Sequence, residues 1–497
     1  MPTRGSQPRR SRSVRYTHMH STTETRGTNW SLAYASGMSD SVTDSYNVVF
    51  CVLDSLRTDR VSAYDETIEF TDHIGSIADD AVVFEHAVAQ APWTLPSHAS
   101  MFTGEYPWEH GTTHARSYFP TGKSTFVSQF AGADYRTAAI TPNIWISPHK
   151  GMTRDFEFVE NFLGTADNPV SRRLSRLSTK LYDAIGTRTK RLLGRQLDRA
   201  FRLFGVDDSC KSEETIAAVE SYLADRSADE RFFLYVNFME PHEPYHPPQR
   251  YLDAHGVADT SSIPHRQKDM FTMDDIDFEK LQAVYDASAE YTDDLVGRLS
   301  AALAANDLAE DTVVVLLSDH GQALGERDGL FGHQFTVIEP VVNTVLLVDH
   351  PELDARREPR PIELRSLFEL VPYYAGLAEE PPDVFEGPIR GGYEFPENFT
   401  GYIPADEWDE YYRRTRYLKA DGTKVVKSVD EAGEARYEAL DLETGESVPV
   451  PPALRTAIDS IEAADPVAAA DGDAGDADRP ADADDAVADR LEALGYR

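Results

Sequence analysis

The sequence predicts an α/β protein in which a mostly parallel central sheet is flanked by helices and followed by a small C-terminal α+β subdomain. The first observation is a set of continuous apolar runs at residues 47–53, 231–238 and 312–317, which are typical of strands buried on both faces of a sheet. The second is the long amphipathic segment at 277–306, which indicates that helices alternate with strands. The third is that acidic or histidine residues follow each run, as expected for a site at the carboxyl edge of the sheet.

The 497 residues are enough for one large α/β domain and a smaller one. We assign 45–375 to the large domain and 380–455 to the C-terminal subdomain, where Asp421-Gly422 is a hairpin signal. Three further segments are predicted: a disordered basic leader at 1–37, a disordered linker rich in alanine and aspartate at 463–486, and a terminal helix at 487–497. Met38 is an alternative start, because the leader carries six arginines and a single acid, unlike the rest of the chain.

Acidic residues dominate the composition. The formal net charge is −37, and 38 arginines stand against only 10 lysines. A carboxylate-rich surface is tolerated in concentrated salt, which screens the repulsion between the charges. The composition therefore predicts a halophilic, archaeal source, with an ordinary acidic protein as the alternative, and it argues against nucleic acid as the main partner. The two cysteines, Cys51 and Cys210, exclude a disulfide framework and a cysteine-rich zinc site.

A basic segment interrupts the acidic chain at residues 171–204. It holds ten basic and two acidic residues, and its leucines and phenylalanines recur at helical spacing. Such a helical insertion predicts peripheral contact with a membrane surface or a polyanionic substrate, with a helical lid that pairs with the acidic body as the alternative. The chain has no apolar run long enough to span a membrane and no apolar export signal. We therefore expect a cytoplasmic protein, with membrane association left open.

A hydroxyl residue, Thr94, lies two positions before Pro96 in the segment 91–104. Because proline is favoured in the first turn of a helix, the sequence predicts a helix that begins near Thr94. The positive end of a helix attracts anions. A hydroxyl at that place, close to a metal ion, is a candidate nucleophile toward a phosphate or sulfate ester. An ordinary capping threonine is the alternative.

Candidate metal ligands follow the buried strands. Asp54 follows the first strand, and Asp319 and His320 follow the third. Carboxylate oxygens with one imidazole suit Ca²⁺, Mg²⁺ or Mn²⁺. His242 lies after the second strand in a loop whose prolines exclude a helix, and His333 lies on a later loop. The sequence therefore predicts a metal site at one edge of the sheet, together with His242 and Thr94.

Five motifs carry a family resemblance. They are Asn-Val-Val-Phe-Cys-Val-Leu-Asp-Ser-Leu-Arg-Thr-Asp at 47–59, Thr-Leu-Pro-Ser-His at 94–98, Glu-Pro-His-Glu-Pro-Tyr at 240–245, Ser-Asp-His-Gly at 318–321 and Tyr-Glu-Ala-Leu-Asp-Leu-Glu-Thr-Gly-Glu at 437–446. In this order they resemble the sulfatase family of the alkaline phosphatase superfamily, from about residue 46 to 450. The resemblance implies an alkaline phosphatase-like fold and a metal-dependent hydrolase of sulfuric or phosphoric esters.

The resemblance implies that one divalent metal ion is held by Asp54, Asp319 and His320, and that Thr94 occupies the nucleophile position. Sulfatases of this type oxidise a cysteine or serine at that position to formylglycine. Threonine cannot give that aldehyde, because its Cβ already carries a methyl group. We therefore expect no formylglycine and an unmodified threonine nucleophile, as in other branches of the superfamily. Ser55 stands where a second acid often lies, so the metal site has one carboxylate fewer.

The resemblance also implies roles for four residues around the ester. His242 and His333 would contact its oxygens or protonate the leaving group, and Ser97 and His98 would bind the substrate, with His98 in place of the family's arginine. The expected substrate is a sulfate, phosphate or phosphonate ester of a small molecule, a glycan or a lipid. The alternatives are a phosphoryl- or phosphoglycerol-type transferase and a non-catalytic relative that binds an anionic glycan. Neither the metal ion nor the oligomeric state is fixed by the sequence.

Overall fold

The computed structural model describes residues 44–162, 211–227 and 230–463. Four of the predicted segments lie outside these residues: the leader at 1–37, the basic insertion at 171–204, the linker at 463–486 beyond its first residue, and the terminal helix at 487–497.

The strands are β1 (Asn47–Leu53), β2 (Val82–Phe84), β3 (Ala87–Val88), β4 (Arg136–Thr141), β5 (Phe158–Asn161), β6 (Phe232–Phe238), β7 (Thr312–Leu317), β8 (Ala323–Leu324), β9 (Phe331–Gly332), β10 (Asn343–Thr344), β11 (Leu346–Asp349), β12 (Arg356–Glu358), β13 (Ile362–Glu363), β14 (Ile389–Tyr393), β15 (Arg414–Ala420), β16 (Thr423–Val429) and β17 (Ala435–Asp441).

The helices are α1 (Asp72–Asp80), α2 (Thr94–Thr103), α3 (Pro107–His110), α4 (Phe126–Gly132), α5 (Ser212–Asp225), α6 (Gln249–Ala254), α7 (Phe278–Ala305), α8 (Glu326–Gly329), α9 (Glu339–Val342), α10 (Leu367–Tyr374), α11 (Trp408–Tyr411) and α12 (Pro452–Ala463). None of these helices combines the length and the apolar character needed to cross a membrane.

The central sheet has eight strands in the order β12-β2-β11-β7-β1-β6-β4-β5. β1 runs parallel to both of its neighbours, β6 and β7, and β4 and β5 continue in the same direction. β11 is antiparallel to its neighbours β7 and β2. The predicted α/β fold with a mostly parallel sheet is therefore confirmed.

Helices cover both faces of the central sheet. Because successive side chains of β1 point to opposite faces, they contact both layers of helices. Cys51 packs in one core cluster with Ile74 of α1 and Leu295 of α7. On the opposite face, the ring of Phe50 contacts Phe102 of α2 and Phe126 of α4. A strand buried on both faces must be apolar throughout, which explains why β1 reads as a continuous apolar run.

The C-terminal subdomain is a four-stranded antiparallel sheet, β14-β15-β16-β17, with helix α12 packed on it. Asp421 and Gly422 connect β15 to β16 with φ angles of 50° and 71°. A two-residue hairpin turn with two positive φ angles favours this Asp-Gly pair. The small C-terminal subdomain predicted from the sequence is thus present, with a sheet as its main element.

Candidate active site

Two buried aspartates lie where central strands end. Asp54 directly follows β1, and its two oxygens accept hydrogen bonds from the Ser55 hydroxyl at 3.0 Å and the Asn143 amide at 2.9 Å. Asp319 lies two residues after β7, and its Oδ1 accepts from the backbone N–H of Ser55 at 3.3 Å and of His320 at 3.0 Å. Asp319 Oδ2 is buried with no hydrogen-bond donor among the described residues. A buried carboxylate oxygen without a hydrogen-bond donor is available to bind a metal ion.

His320 completes the cluster with a nitrogen ligand. Its Nε2 lies 3.5 Å from Asp319 Oδ2, 3.8 Å from Asp54 Oδ1 and 3.4 Å from the Thr94 hydroxyl. Its Nδ1 lies 2.9 Å from the carbonyl oxygen of Gly321. Because a carbonyl only accepts, Nδ1 carries the proton and Nε2 presents its lone pair to the cluster. Burial lowers the pKa of His320, which keeps the ring in this neutral form.

The electrostatics of the cluster favour a cation. Burial, followed by the charge of Asp319, raises the pKa of Asp54 well above its usual value, against the opposing hydrogen bonds from Ser55 and Thr94. The donor atoms of Asp54, Asp319 and His320 all lie within 4.8 Å of one another. Two carboxylates and one imidazole suit a divalent cation. The residues present therefore fit a metal site.

Helix α2 delivers Thr94 to this cluster. Thr94 is its first residue, and all ten residues of the helix are buried. The Ser97 hydroxyl donates to the backbone oxygen of Asp319 at 2.7 Å, which ties the helix to the end of β7. Gly104 ends the helix with a φ of 75°, and a Cβ there would lie 3.2 Å from the ring of Phe368. These contacts hold helix α2 in place, and with it Thr94.

His98 lies inside the fold, behind Thr94. Its Nδ1 lies 2.9 Å from the backbone oxygen of Thr94, and its Nε2 lies 2.8 Å from the hydroxyl of Tyr235 on β6. Its side chain is fully buried, and Nδ1 is 3.6 Å from Asp319 Oδ2. These contacts fit a residue that positions Thr94 and Asp319, as do those of Ser97. The role of both residues in substrate binding stays a prediction.

His242 and His333 adjoin the cluster. The ring centroids of His320 and His333 are 4.4 Å apart, and those of His242 and His333 are 5.1 Å apart. His333 Nδ1 lies 2.8 Å from Gln322 Oε1, and its Nε2 lies 2.7 Å from the amide nitrogen of Gln334. Burial lowers the pKa of His333 well below its usual value. This ring is therefore neutral and is better suited to bind than to supply a proton.

Comparison with known proteins identifies the family. The family model described as Sulfatase matches residues 46–373, which is more than half of the chain. The chain belongs to the sulfatase family. An ulvan-active sulfatase of Formosa agariphila is 24% identical over 347 residues, which cover 69% of this chain and 63% of that protein. Human iduronate 2-sulfatase is 24% identical over 326 residues, which cover 58% of this chain and 57% of that protein. The chain therefore spans less than two thirds of these two curated relatives.

Solved structures agree with the family assignment at the level of the fold. The phosphonate monoester hydrolase of Agrobacterium radiobacter superposes with a TM-score of 0.59, at 14% sequence identity, over 84% of this chain and 94% of that chain. A divalent metal is typical of the sulfatase family, and the Asp54 cluster supplies residues that fit one. The side chains of Asp54, Asp319 and His320 at the carboxyl edge of the sheet therefore fit the divalent metal that is typical of the family.

Several residues around this sulfatase-family site were not singled out from the sequence. Asn143, which bonds Asp54, follows the carboxyl end of β4, so the rule that sites lie at strand ends would have found it. Gln322 lies two residues after His320, directly after the Ser-Asp-His-Gly motif at 318–321. Tyr235 contacts His98 across 137 positions of the chain, a pairing that no local pattern reveals, whereas Gln334 contacts its sequence neighbour His333.

His114 contacts the site through Gln334, and its burial predicts how stability depends on pH. Its Nε2 lies 2.9 Å from Gln334 Oε1, its ring stacks on Trp93 at 4.4 Å, and burial lowers its pKa to about 4. The unfolded chain protonates this residue near pH 6.5. Between these values the unfolded state binds more protons, so His114 makes stability fall as the pH is lowered from about 6.5 to about 4.

We expect His114→Asn to remove about 2 kcal/mol of the decrease in unfolding free energy between about pH 7 and pH 5. The measurement is urea unfolding of both proteins at the two pH values in molar KCl. His73→Asn, at an exposed position, is the control. Equal decreases in wild type and His114→Asn would show that His114 titrates normally in the folded protein.

Proposed function

We propose that the chain is a metal-dependent hydrolase of sulfate, phosphate or phosphonate esters that uses unmodified Thr94 as its nucleophile. The observation that carries the proposal is the Thr94 hydroxyl, held at the start of a buried helix, 3.4 Å from His320 Nε2 and hydrogen-bonded to Asp54. A residue that served only to cap the helix would not need two candidate metal ligands around its hydroxyl. Formylglycine is not part of the proposal, because threonine cannot form it.

Asp54, Asp319 and His320 would hold one divalent metal ion, of which Ca²⁺, Mg²⁺ and Mn²⁺ are the candidates. When bound, the metal ion lowers the pKa of a neighbouring hydroxyl and withdraws charge from an ester oxygen. Asp319 Oδ2 lacks a hydrogen-bond donor among the described residues. We therefore expect this oxygen to bind the metal ion directly.

The protein residues then carry the reaction. Thr94 Oγ gives up its proton to solvent and attacks phosphorus or sulfur, and the bond from that atom to the alcohol oxygen breaks. The dipole of helix α2 favours the anionic ester at its first residue. His242 gives a proton to the leaving alcohol, while the neutral ring of His333 contacts an ester oxygen. Water cleaves the Thr94 ester in a second displacement, which releases sulfate, phosphate or phosphonate and restores the hydroxyl.

The alcohol part of the substrate is proposed only as a class. Relatives named for ulvan and for iduronate support an ester carried by a glycan, and a small molecule or a lipid remains an alternative. Transfer of the group to a sugar or lipid alcohol would make the protein a phosphoryl- or phosphoglycerol-type transferase. A non-catalytic relative that binds an anionic glycan is favoured only by Ser55 and His98, which depart from the family pattern. Nucleic acid is not a proposed partner of so acidic a chain.

We also propose a haloarchaeal, cytoplasmic protein, with peripheral membrane contact through 171–204 as an option. The charge of −37 predicts a dependence on salt. Raising KCl from about 0.2 M to about 2 M is expected to raise the melting temperature by about 5 °C or more, because carboxylate repulsion is screened. Calorimetry in KCl and in NaCl of equal ionic strength tests this. A melting temperature that falls as salt is added would contradict it.

A panel of esters tests the proposed function. Aryl sulfate, aryl phosphate and aryl phosphonate would be offered to the full chain in molar KCl, each with Mg²⁺, Mn²⁺ or Ca²⁺. We expect turnover of at least one ester class that stops when the metal is chelated and returns when it is restored. A chain that binds the metal and turns over none of the three classes would favour the binding-protein alternative.

A further inference from the structure

A network of buried side chains connects Glu243 to His114 through His333. Gln322 lies between the first two members, with its Nε2 2.5 Å from Glu243 Oε2 and its Oε1 2.8 Å from His333 Nδ1. Gln334 lies between the last two, with its Nε2 2.7 Å from His333 Nε2 and its Oε1 2.9 Å from His114 Nε2. All five side chains are buried, so each depends on the others for its hydrogen bonds.

The carboxylate of Glu243 sets the direction of the first hydrogen bonds in this network. A carboxylate oxygen only accepts, so the amide nitrogen of Gln322 donates to it and the amide oxygen of Gln322 faces His333. That amide oxygen also only accepts, so Nδ1 of His333 carries the proton. In the neutral ring, Nε2 of His333 then holds a lone pair.

The same rule continues from His333 to His114. Because His333 Nε2 accepts, the amide nitrogen of Gln334 donates to it, and the amide oxygen of Gln334 accepts from His114 Nε2. The other nitrogen of His114, Nδ1, is then unprotonated, and it has no hydrogen-bond partner among the described residues. Burial lowers the pKa of His114 to about 4, which agrees with a ring that leaves this nitrogen bare.

Gln267 holds the backbone of the same loop. Its Oε1 accepts from the backbone N–H groups of His333 and Gln334 at 3.2 Å and 3.1 Å. The preceding residue, Gly332, has a φ of 90°, and a Cβ there would collide with the side chain of Gln267. Backbone and ring of His333 are therefore both held, which gives the proton on Nδ1 a fixed direction.

We infer that Gln322 and Gln334 are positioning residues that hold His333 in one neutral tautomer, with its proton on Nδ1, and that Glu243 selects this tautomer. The catalytic part of the inference rests on the function proposed above. His333 then meets an ester oxygen as a hydrogen-bond donor, because an N–H can be shared between the Gln322 oxygen and a second acceptor. The opposite tautomer would present the lone pair of Nδ1 to that oxygen. The competing account is a network without a fixed direction, in which both tautomers coexist.

Nuclear magnetic resonance of the full chain with isotope-labelled histidine nitrogens reads the tautomers, because protonated and bare ring nitrogens have well-separated chemical shifts. The protein would be kept in molar KCl with Mg²⁺, and the signals of His333 and His114 would be assigned by their loss in the two His→Asn variants. Glu243→Gln keeps the shape of the side chain but can donate as well as accept. Glu290→Gln is the matched control, since Glu290 also bonds a histidine, His255, at 2.8 Å, away from the site.

In wild type and in Glu290→Gln we expect His333 protonated on Nδ1 and His114 protonated on Nε2. In Glu243→Gln the network can run in either direction, so we expect these forms of both rings to fall together to about half. A joint change at His114, at the far end of the network, is not the result of a local packing defect. A wild type with mixed tautomers, or with the proton on His333 Nε2, would overturn the inference even if the variant does not fold. Unchanged tautomers in folded Glu243→Gln would overturn the role of Glu243.

Activity tests the catalytic part separately. Gln334→Leu removes the donor to His333 Nε2, and we expect kcat for the preferred ester to fall about 10-fold or more, with KM less affected. Gln90→Leu is the control, because Gln90 is also buried but bonds the backbone of Val88 and Arg365; we expect it to cost stability and to leave kcat nearly unchanged. Equal kcat in wild type and Gln334→Leu would overturn the positioning role. A wild type without turnover would be a failure of the proposed function, and the tautomers would still be read from the spectra.

Discussion

Replacing Thr94 by alanine is expected to lower kcat/KM for the preferred ester by about 10⁴-fold or more, because the nucleophile of a two-step displacement is removed. Asp54, Asp319 and His320 are all retained in this variant, so its bound metal should be nearly unchanged. We would measure steady-state kinetics with the ester identified by the panel and determine the metal content of the same samples. Thr94→Ser retains the attacking oxygen and is expected to retain part of the activity.

Thr103→Ala is the matched control for this prediction. Thr103 ends the same buried helix, and its hydroxyl donates to the backbone oxygen of Ala99 at 2.6 Å, far along the helix from the metal ligands. We expect its loss to cost stability, about 1 kcal/mol, with kcat/KM little changed. If Thr94→Ala and Thr103→Ala have similar activities, Thr94 is a structural residue and the ester must be attacked by another group.

Asp319→Asn is expected to have the second large effect, through the metal ion. The substitution keeps the acceptor that bonds Ser55 and His320 and removes the charge and the orphaned oxygen that fit a cation. We expect wild type to gain about 3 kcal/mol of unfolding free energy at a metal concentration 100-fold above its dissociation constant, and the variant to gain little. Activity should fall about 10³-fold, because metal and Thr94 act together.

The metal-free proteins should behave in the opposite way. Asp319 is one of the causes that raise the pKa of Asp54, which means that the two buried carboxylates repel each other without a cation. Removing one charge is therefore expected to make metal-free Asp319→Asn more stable than metal-free wild type by about 1 kcal/mol. Chemical denaturation with and without metal measures both states. A variant that is less stable than wild type in the metal-free state would contradict the account of this cluster.

The sequence predicted those parts of the fold in which an apolar run marks a buried strand and the rule for parallel sheets places the site at the strand ends. Strand β1 is buried on both faces, so its burial is visible as a single apolar run, and Asp54 directly follows it. The strand register aligns the ends of the three strands, since Leu53 pairs with Phe238 and Val52 pairs with Leu317. Parallel neighbours in this register bring the residues after all three strands to one edge.

The orientation of the site residues could not be predicted in this way. His98 is adjacent to Ser97 in the nucleophile motif, yet its ring turns inward to the hydroxyl of Tyr235, 137 positions away in the sequence. Glu243 belongs to a predicted motif, but its place between His242 and His333 depends on how two loops meet. Such contacts are set by packing between distant segments, on which a single sequence carries no signal.

The most direct test of the central claim is to look for the covalent ester on Thr94. The full chain would be mixed with the preferred ester, quenched in acid within one turnover, digested and mapped by mass spectrometry. We expect the peptide containing Thr94 to gain the mass of one phosphoryl, phosphonyl or sulfuryl group at that residue, and we expect no such gain in Thr94→Ala. Full turnover with no modified Thr94 at any quench time, or with the group on another residue, would contradict it.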